Sequence, residues 1–121
     1  MVSLPRPEAQ TPYPPMRELK WSGTEKAIAR KAFERALQQD LEVVMRQAKK
    51  MAEKIEQPSD LWDLERYLTE RREEIDRRYD YRYSVLPEVF GDLIRRGRLR
   101  EEDLGGLGED KLRYVRACAS L

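Results

Sequence analysis

Apolar side chains recur at three- and four-residue steps from Ile28 to Ile55, through Ala32, Phe33, Ala36, Leu37, Leu41, Val44, Met45, Ala48, Met51 and Ala52. That period fits one face of an α-helix, not the alternation of a half-buried strand. No Gly or Pro interrupts it, so the spacing predicts one helix of about thirty residues. Ser22 or Thr24 can cap its start, and Glu25 in the first turn complements the helix dipole. Glu42 and Arg46 form a favourable i,i+4 pair. Gln57-Pro58-Ser59 ends the helix, because the residue before a proline is driven out of the helical region, and Ser59 or Asp60 can open the next one. So short a connection turns the second helix back antiparallel along the first.

The second helix is expected over 60–79. At about 100° per residue, Leu61, Leu64, Leu68, Ile75 and Tyr79 fall within a sector about 60° wide. Arg72 projects into the same sector, while Trp62 lies on the flank with Glu65, Arg66, Thr69 and Glu73. Beyond Asp80 the apolar spacing shortens. Val85, Leu86, Val89, Phe90, Leu93 and Ile94 predict a third helix over 84–95, with Pro87 near its start and Gly97 as its C-cap. A short turn over 101–104 and the breaks at Gly105, Gly106 and Gly108 precede a last helix over 109–120, which presents Leu112, Val115 and Cys118 or Ala119.

Five of the seven prolines lie in the first fifteen residues, where periodic apolar content is almost nil. Residues 1–20 are therefore expected as a disordered Pro-rich tail. The expected architecture is all-α: a helical hairpin over 21–80 that also carries dimerisation, and a compact helical head over 81–121. Charged residues reach 39% of the chain, which leaves two long helices little core of their own. A second copy is expected to cover their stripes, making a homodimer with Leu61, Leu64, Leu68, Arg72 and Ile75 at its interface.

Charge balance narrows the partners. Twenty-four basic and 23 acidic residues leave a net charge of +1, too little to steer a polyanion, so neither nucleic acid nor a membrane surface is expected as a primary partner. The single cysteine, Cys118, excludes an internal disulfide and fits a reducing cytoplasm. It reads as a small packing residue beside Ala117 and Ala119. The absence of histidine removes Ser-His catalysis, His-bearing zinc sites and imidazole acid-base chemistry. No apolar run approaches the ~18 residues of a membrane span, and no secretory h-region is readable. Glu70, Glu73, Glu74 and Asp76 interleave with Arg71, Arg72, Arg77 and Arg78, with Glu73-Arg77 and Glu74-Arg78 at i,i+4, which is a solvated helix surface and not an acid-base pair. No catalytic, metal or cofactor constellation remains, so a non-enzymatic binding protein is expected.

Three further features have two readings each. Arg95, Arg96, Arg98 and Arg100 could contact phosphate, but Glu101, Glu102 and Asp103 follow at once, and a helix C-terminus with dipole-complementing arginines is preferred. Tyr79, Tyr81 and Tyr83 either seal the joint between hairpin and head or present an aromatic rim to a partner, and joint packing is the expectation. Arg72, inside an apolar sector, either snorkels to solvent or pairs with a carboxylate of a facing helix, or it belongs to a contact patch at a helix or dimer seam. Residues 105–108 are glycine-rich but lack the strand and lysine of a phosphate loop, so they read as a turn.

Residues 60–76 read DLWDLERYLTERREEID and continue into RRYDYRYSVLPEVF. The order of Trp, Leu, Arg and Ile-Asp, then Tyr-Asp and Ser-Val before an apolar stretch, resembles the fluorescence recovery proteins of cyanobacteria. The resemblance runs from about residue 20 to 121, opening on Trp21-Ser22. It implies a small helical regulator that binds photoactivated orange carotenoid protein and speeds its return to the resting orange form, as part of photoprotective non-photochemical quenching. The family's partner-binding patch would fall on Trp62 and Arg72, which match its tryptophan and arginine. Where the family has His-Asp, this chain has Glu65-Arg66; a phenylalanine and a lysine of the family's head are met by Glu88 and Tyr114. Reversing a carboxylate to a guanidinium penalises a partner built to meet the carboxylate. The resemblance thus implies a kept scaffold with a rewritten contact surface, serving either a co-adapted carotenoid-binding photoreceptor or a different protein partner.

Overall fold

The computed structural model describes residues 14–121, so residues 1–13 of the expected tail lie outside it. The described chain holds four α-helices and no strand: α1 (Gly23–Glu53), α2 (Pro58–Arg78), α3 (Leu86–Arg95) and α4 (Glu109–Ala119), with 3₁₀ turns at Met16–Glu18 and Glu101–Leu104. Of the two candidate caps for α1, Ser22 is used. Its hydroxyl accepts the Glu25 N–H at 3.1 Å, and the Glu25 carboxylate accepts the Ser22 N–H at 2.9 Å, a reciprocal capping box. At the hairpin turn Gln57 occupies the N-cap position and Pro58 the first helical turn of α2. Asp60, not Ser59, holds that end, reaching back to accept the N–H groups of Glu56 and Gln57, each at 3.1 Å.

α1 has 31 residues and α2 has 21, about 46 and 31 Å at 1.5 Å per residue. Tyr79, just past α2, donates its hydroxyl to Asp40 in the middle of α1. The first half of α1 therefore projects beyond α2, and the head packs on it. Ala29, Ala32, Phe33 and Ala36 of this half join Leu86, Phe90 and Leu93 of α3, Leu99, Leu104 and Leu107 of the following loop, and Val115 of α4 in one core. Phe90, Leu86, Leu93, Leu104 and Val115 are fully buried, each contributing about 1.5–3 kcal/mol.

Gly97 and Gly91 are both required by geometry. Gly97 closes α3 at φ +76°, with its N–H on the Ile94 carbonyl at 3.0 Å and the Arg98 N–H on the Leu93 carbonyl at 2.9 Å, the left-handed C-cap that the sequence predicts. Gly91 lets α3 and α4 cross closely: a Cβ there would lie 2.5 Å from the Cys118 Cβ and 2.9 Å from Val115 O and Ala119 N. Cys118 is accordingly a packing residue. Burial pushes its thiol pKa up, with Glu88 adding to the shift, so it is a poor nucleophile.

The three tyrosines seal the joint, as expected. Phe33 packs edge-on against Tyr79 and Tyr81 at centroid distances of 5.4 and 4.8 Å, Tyr81 meets Tyr83 at 5.5 Å, and Tyr83 meets Trp21 at 5.4 Å. Arg30 lies 3.7 Å above the Tyr81 ring, a cation–π contact on the outside of the cluster. Residues 14–20, the end of the expected tail, form the Met16–Glu18 turn and bury Leu19.

Candidate partner-binding surface

α2 buries none of its residues within the chain. Leu61, Trp62 and Leu68 stand exposed on it, Trp62 at 60%, and Leu41, Val43 and Met45 stand exposed on the facing stretch of α1. Leu64 and Ile75 are half-buried. This is the apolar sector assigned above to dimerisation, and within one chain it is only partly covered. An apolar strip left this exposed is a candidate interaction surface.

The charges around it fall into two groups. Arg71 pairs with Glu74 at 2.8 Å and lies over the Tyr67 ring, and Glu74 also meets Arg78 at 3.5 Å. Arg66 meets Asp63 at 3.3 Å, while Glu65 and Arg72 are exposed. Arg72 pairs with no carboxylate among the described residues, so the intrachain pairing open to it in the sequence is not the one adopted. Neither Glu42-Arg46 nor Glu73-Arg77 closes into an ion pair among the described residues; Glu74-Arg78 does.

The remaining two candidates sit on the head. Glu88 lines an open cleft of about 400 Å³ with Arg77, Arg78, Arg82, Arg95 and Cys118. Tyr114 is half-buried on α4 and donates its hydroxyl to the Pro14 carbonyl at 2.5 Å. Trp62, Glu65 and Arg66 cluster near the hairpin turn, and Arg72 lies about 15 Å along α2 from Trp62. Arg77, at the cleft that holds Glu88, lies about 22 Å along the same axis. The six residues therefore do not converge on one spot of a single chain.

Each arginine of the basic run is engaged. Arg95 donates to the Cys118 carbonyl at 2.8 Å and to Asp92, and Arg96 also pairs with Asp92. Arg98 reaches across to Asp40, and Arg100 lies near Asp103 and Glu102. These contacts fit a structural reading of the run, with Arg98 as a tie between α1 and the head that the helix-dipole argument does not foresee.

Two buried ionic clusters were not among the expectations drawn from the sequence. Asp40 accepts from both Tyr79 and Arg98, and burial followed by Asp40 pushes the Tyr79 phenol pKa far up. Glu25 accepts the Gly108 N–H at 2.7 Å and the Lys111 ammonium at 3.1 Å, and that ammonium also meets Asp110 at 3.1 Å. Burial alone would raise the Glu25 carboxyl, but the Ser22 and Gly108 N–H groups and Lys111 outweigh it and hold it below the usual range. Burial likewise lowers Lys111, and its two carboxylates raise it above the ordinary lysine value. The available signal was a charge on a buried stripe: Asp40 follows Ala36 by four residues, and Lys111 precedes Val115 by four. Both clusters lock the head to α1 and leave the hairpin surface free.

Among the described residues no three His, Cys, Asp or Glu side chains could hold a metal ion, and no helix is long and apolar enough to cross a membrane. A family profile described as photoprotection regulator fluorescence recovery protein matches residues 21–119. The fluorescence recovery protein of Synechocystis sp. is 36% identical over 104 residues, covering 86% of this chain and 95% of that protein. Its solved structure superposes with a TM-score of 0.78 at 36% identity, over 84% of this chain and all of that one. The structure of the Fremyella diplosiphon fluorescence recovery protein matches equally, with a TM-score of 0.78 at 35% identity, over 84% of this chain and all of that one. The helical body described above, from Trp21 to the end of α4, belongs to the fluorescence recovery protein family of photoprotection regulators.

Proposed function

We propose that this chain is a homodimeric, non-catalytic cytoplasmic regulator that binds the photoactivated form of an orange carotenoid protein and speeds its return to the resting form. The observation that carries this reading is that family membership spans the whole helical body while the hairpin face holding Trp62 and Arg72 stays uncovered. Pairing two copies along this face covers Leu61 and Leu68. If the two hairpins run antiparallel, the tip of one copy approaches the head of the other, which narrows the gap between Trp62 and Glu88. Acceleration then requires tighter binding to the conformers on the return path than to the starting active form.

The exposed Glu65-Arg66 pair favours a second reading, a dimeric module for a different protein partner. An unfavourable charge contact at a partly desolvated interface costs several kcal/mol, enough for a hundredfold loss in affinity. The test is co-elution of this protein with orange carotenoid protein, illuminated and dark, on gel filtration. Light-dependent co-elution supports the first reading. Absence of a complex, with one formed by the double variant Glu65→His/Arg66→Asp, supports the second.

A further inference from the structure

Beyond its first turn, the half-buried residues of α2 are Leu64, Tyr67, Arg71, Glu74, Ile75 and Arg78, the three- and four-residue steps of one helix face. Two guanidiniums therefore lie on the face that α2 turns toward α1. Arg98, from the loop after α3, reaches the same place to meet Asp40. The three arginines line a cleft of about 150 Å³ between the two helices, together with Asp40, Glu74 and an apolar wall that includes Val44 and Ile75. Both carboxylates of this cleft are engaged. The oxygens of Asp40 accept from Tyr79 and Arg98, and those of Glu74 meet Arg71 at 2.8 Å and Arg78 at 3.5 Å. Glu70, outside the lining, approaches Arg71 only at 3.8 Å. The guanidiniums are not filled in the same way. Each carries five N–H donors, and these contacts engage a single nitrogen of each arginine. The Arg71 Nε–H is buried and has no hydrogen-bond partner among the described residues, a state that costs free energy unless an acceptor enters.

We propose that this cleft binds one small tetrahedral oxyanion, phosphate or sulfate, between Arg71, Arg78 and Arg98. Guanidinium forks match the oxygens of such an anion, and the apolar wall strengthens the hydrogen bonds made beside it. The volume corresponds to about five waters at ~30 Å³ each, which admits the bare anion and is too small for a nucleotide-sized ligand. Three positive charges against two negative ones on the lining leave a small surplus, so half-saturation is expected in the low millimolar range. A bound anion joins α2 to the Arg98 segment and braces the joint between hairpin and head. The exposed strip of Leu61, Trp62 and Leu68 takes no part, so the site stands apart from the proposed function.

The test uses the full chain with inorganic phosphate as the probe, titrated against chloride at constant pH and ionic strength. NMR signals of the arginine Nε–Hε groups and stability in urea are followed together. Both should report one saturating curve, with the unfolding equilibrium constant lowered about tenfold at ten times the half-saturating concentration. Sulfate should reproduce the curve. Arg71→Gln should weaken binding about tenfold or more, read on the Arg78 and Arg98 signals. Arg71→Lys keeps the charge and loses the fork, and carries the comparison if Arg71→Gln does not fold. Arg77→Gln, which removes an exposed arginine outside the lining, should bind like the parent. Signals that drift without saturating would show ionic screening with only water in the cleft, and would overturn the site. Binding kept in full by Arg71→Lys, or lost equally in Arg77→Gln, would overturn it as well. No photoreceptor enters the experiment, so its failure leaves the proposed function standing.

Discussion

Asp40 sits where the apolar stripe of α1 calls for a hydrophobe, and it is tolerated because Tyr79 and Arg98 meet its two oxygens. Removing it strands both partners at a largely buried site. Asp40→Ala is therefore expected to destabilise by about 2–4 kcal/mol, and Tyr79→Phe, which deletes one neutral donor, by about 1 kcal/mol, read by urea denaturation. Glu25 and Lys111 set the pH response. The Glu25 pKa is depressed in the folded state, so its contribution is full above the unfolded carboxyl value and is lost as pH falls through the lower, folded one. The Lys111 pKa is raised, so its contribution is full below the unfolded lysine value and is lost as pH rises through the higher, folded one. Stability is expected to be flat between these limits and to fall in acid, with Glu25→Gln flattening the acid slope. An unchanged acid slope in Glu25→Gln would show that other carboxylates carry it. Neither cluster was read from the sequence: four-residue spacing from Ala36 and Val115 is the only local hint for Asp40 and Lys111, and pairing at separations of 58 and 86 residues depends on how the head docks.

At the scale of elements, helix bounds were readable because breakers and periodicity agree. Pro58, Gly97 and the glycines after Leu104 fall where the helices and turns change. The docking of the head was not readable, because it follows from α1 outrunning α2. The crossing of α3 and α4 depends on Gly91. Ala is worth about 1 kcal/mol more than Gly in a helix, yet the added methyl meets backbone atoms at 2.9 Å and α4 must move. Gly91→Ala is thus expected to lower stability by about 1–3 kcal/mol with unchanged helical circular dichroism; a stabilised protein would refute the close crossing. On α2, Arg72 is exposed and unpaired among the described residues. Arg72→Glu is expected to leave the melting of the isolated fold nearly unchanged while weakening self-association. Lowered stability at concentrations where the protein is monomeric would place Arg72 in the fold instead.

For the whole molecule, the core gathers at one end, and the far half of the hairpin leaves Leu61, Trp62, Leu68, Val43 and Met45 to solvent. That asymmetry is the physical reason to propose a dimer. Light scattering should give about twice the 14.4 kDa chain mass, and a monomer persisting at tens of micromolar would contradict it, since that places the dissociation constant above the micromolar range. The proposed contact residues were legible in the sequence only as a list, because Trp62 and Arg72 lie on α2, Glu88 on α3 and Tyr114 on α4, and a single chain does not bring them together. The central claim is kinetic, and dark recovery of photoactivated orange carotenoid protein tests it most directly. Followed by absorbance after the light is switched off, the return of the orange form should be faster with saturating amounts of this protein, about tenfold for each 1.4 kcal/mol taken from the barrier. A recovery rate that stays the same at every concentration of this protein, including that of the Glu65→His/Arg66→Asp variant, would contradict the account.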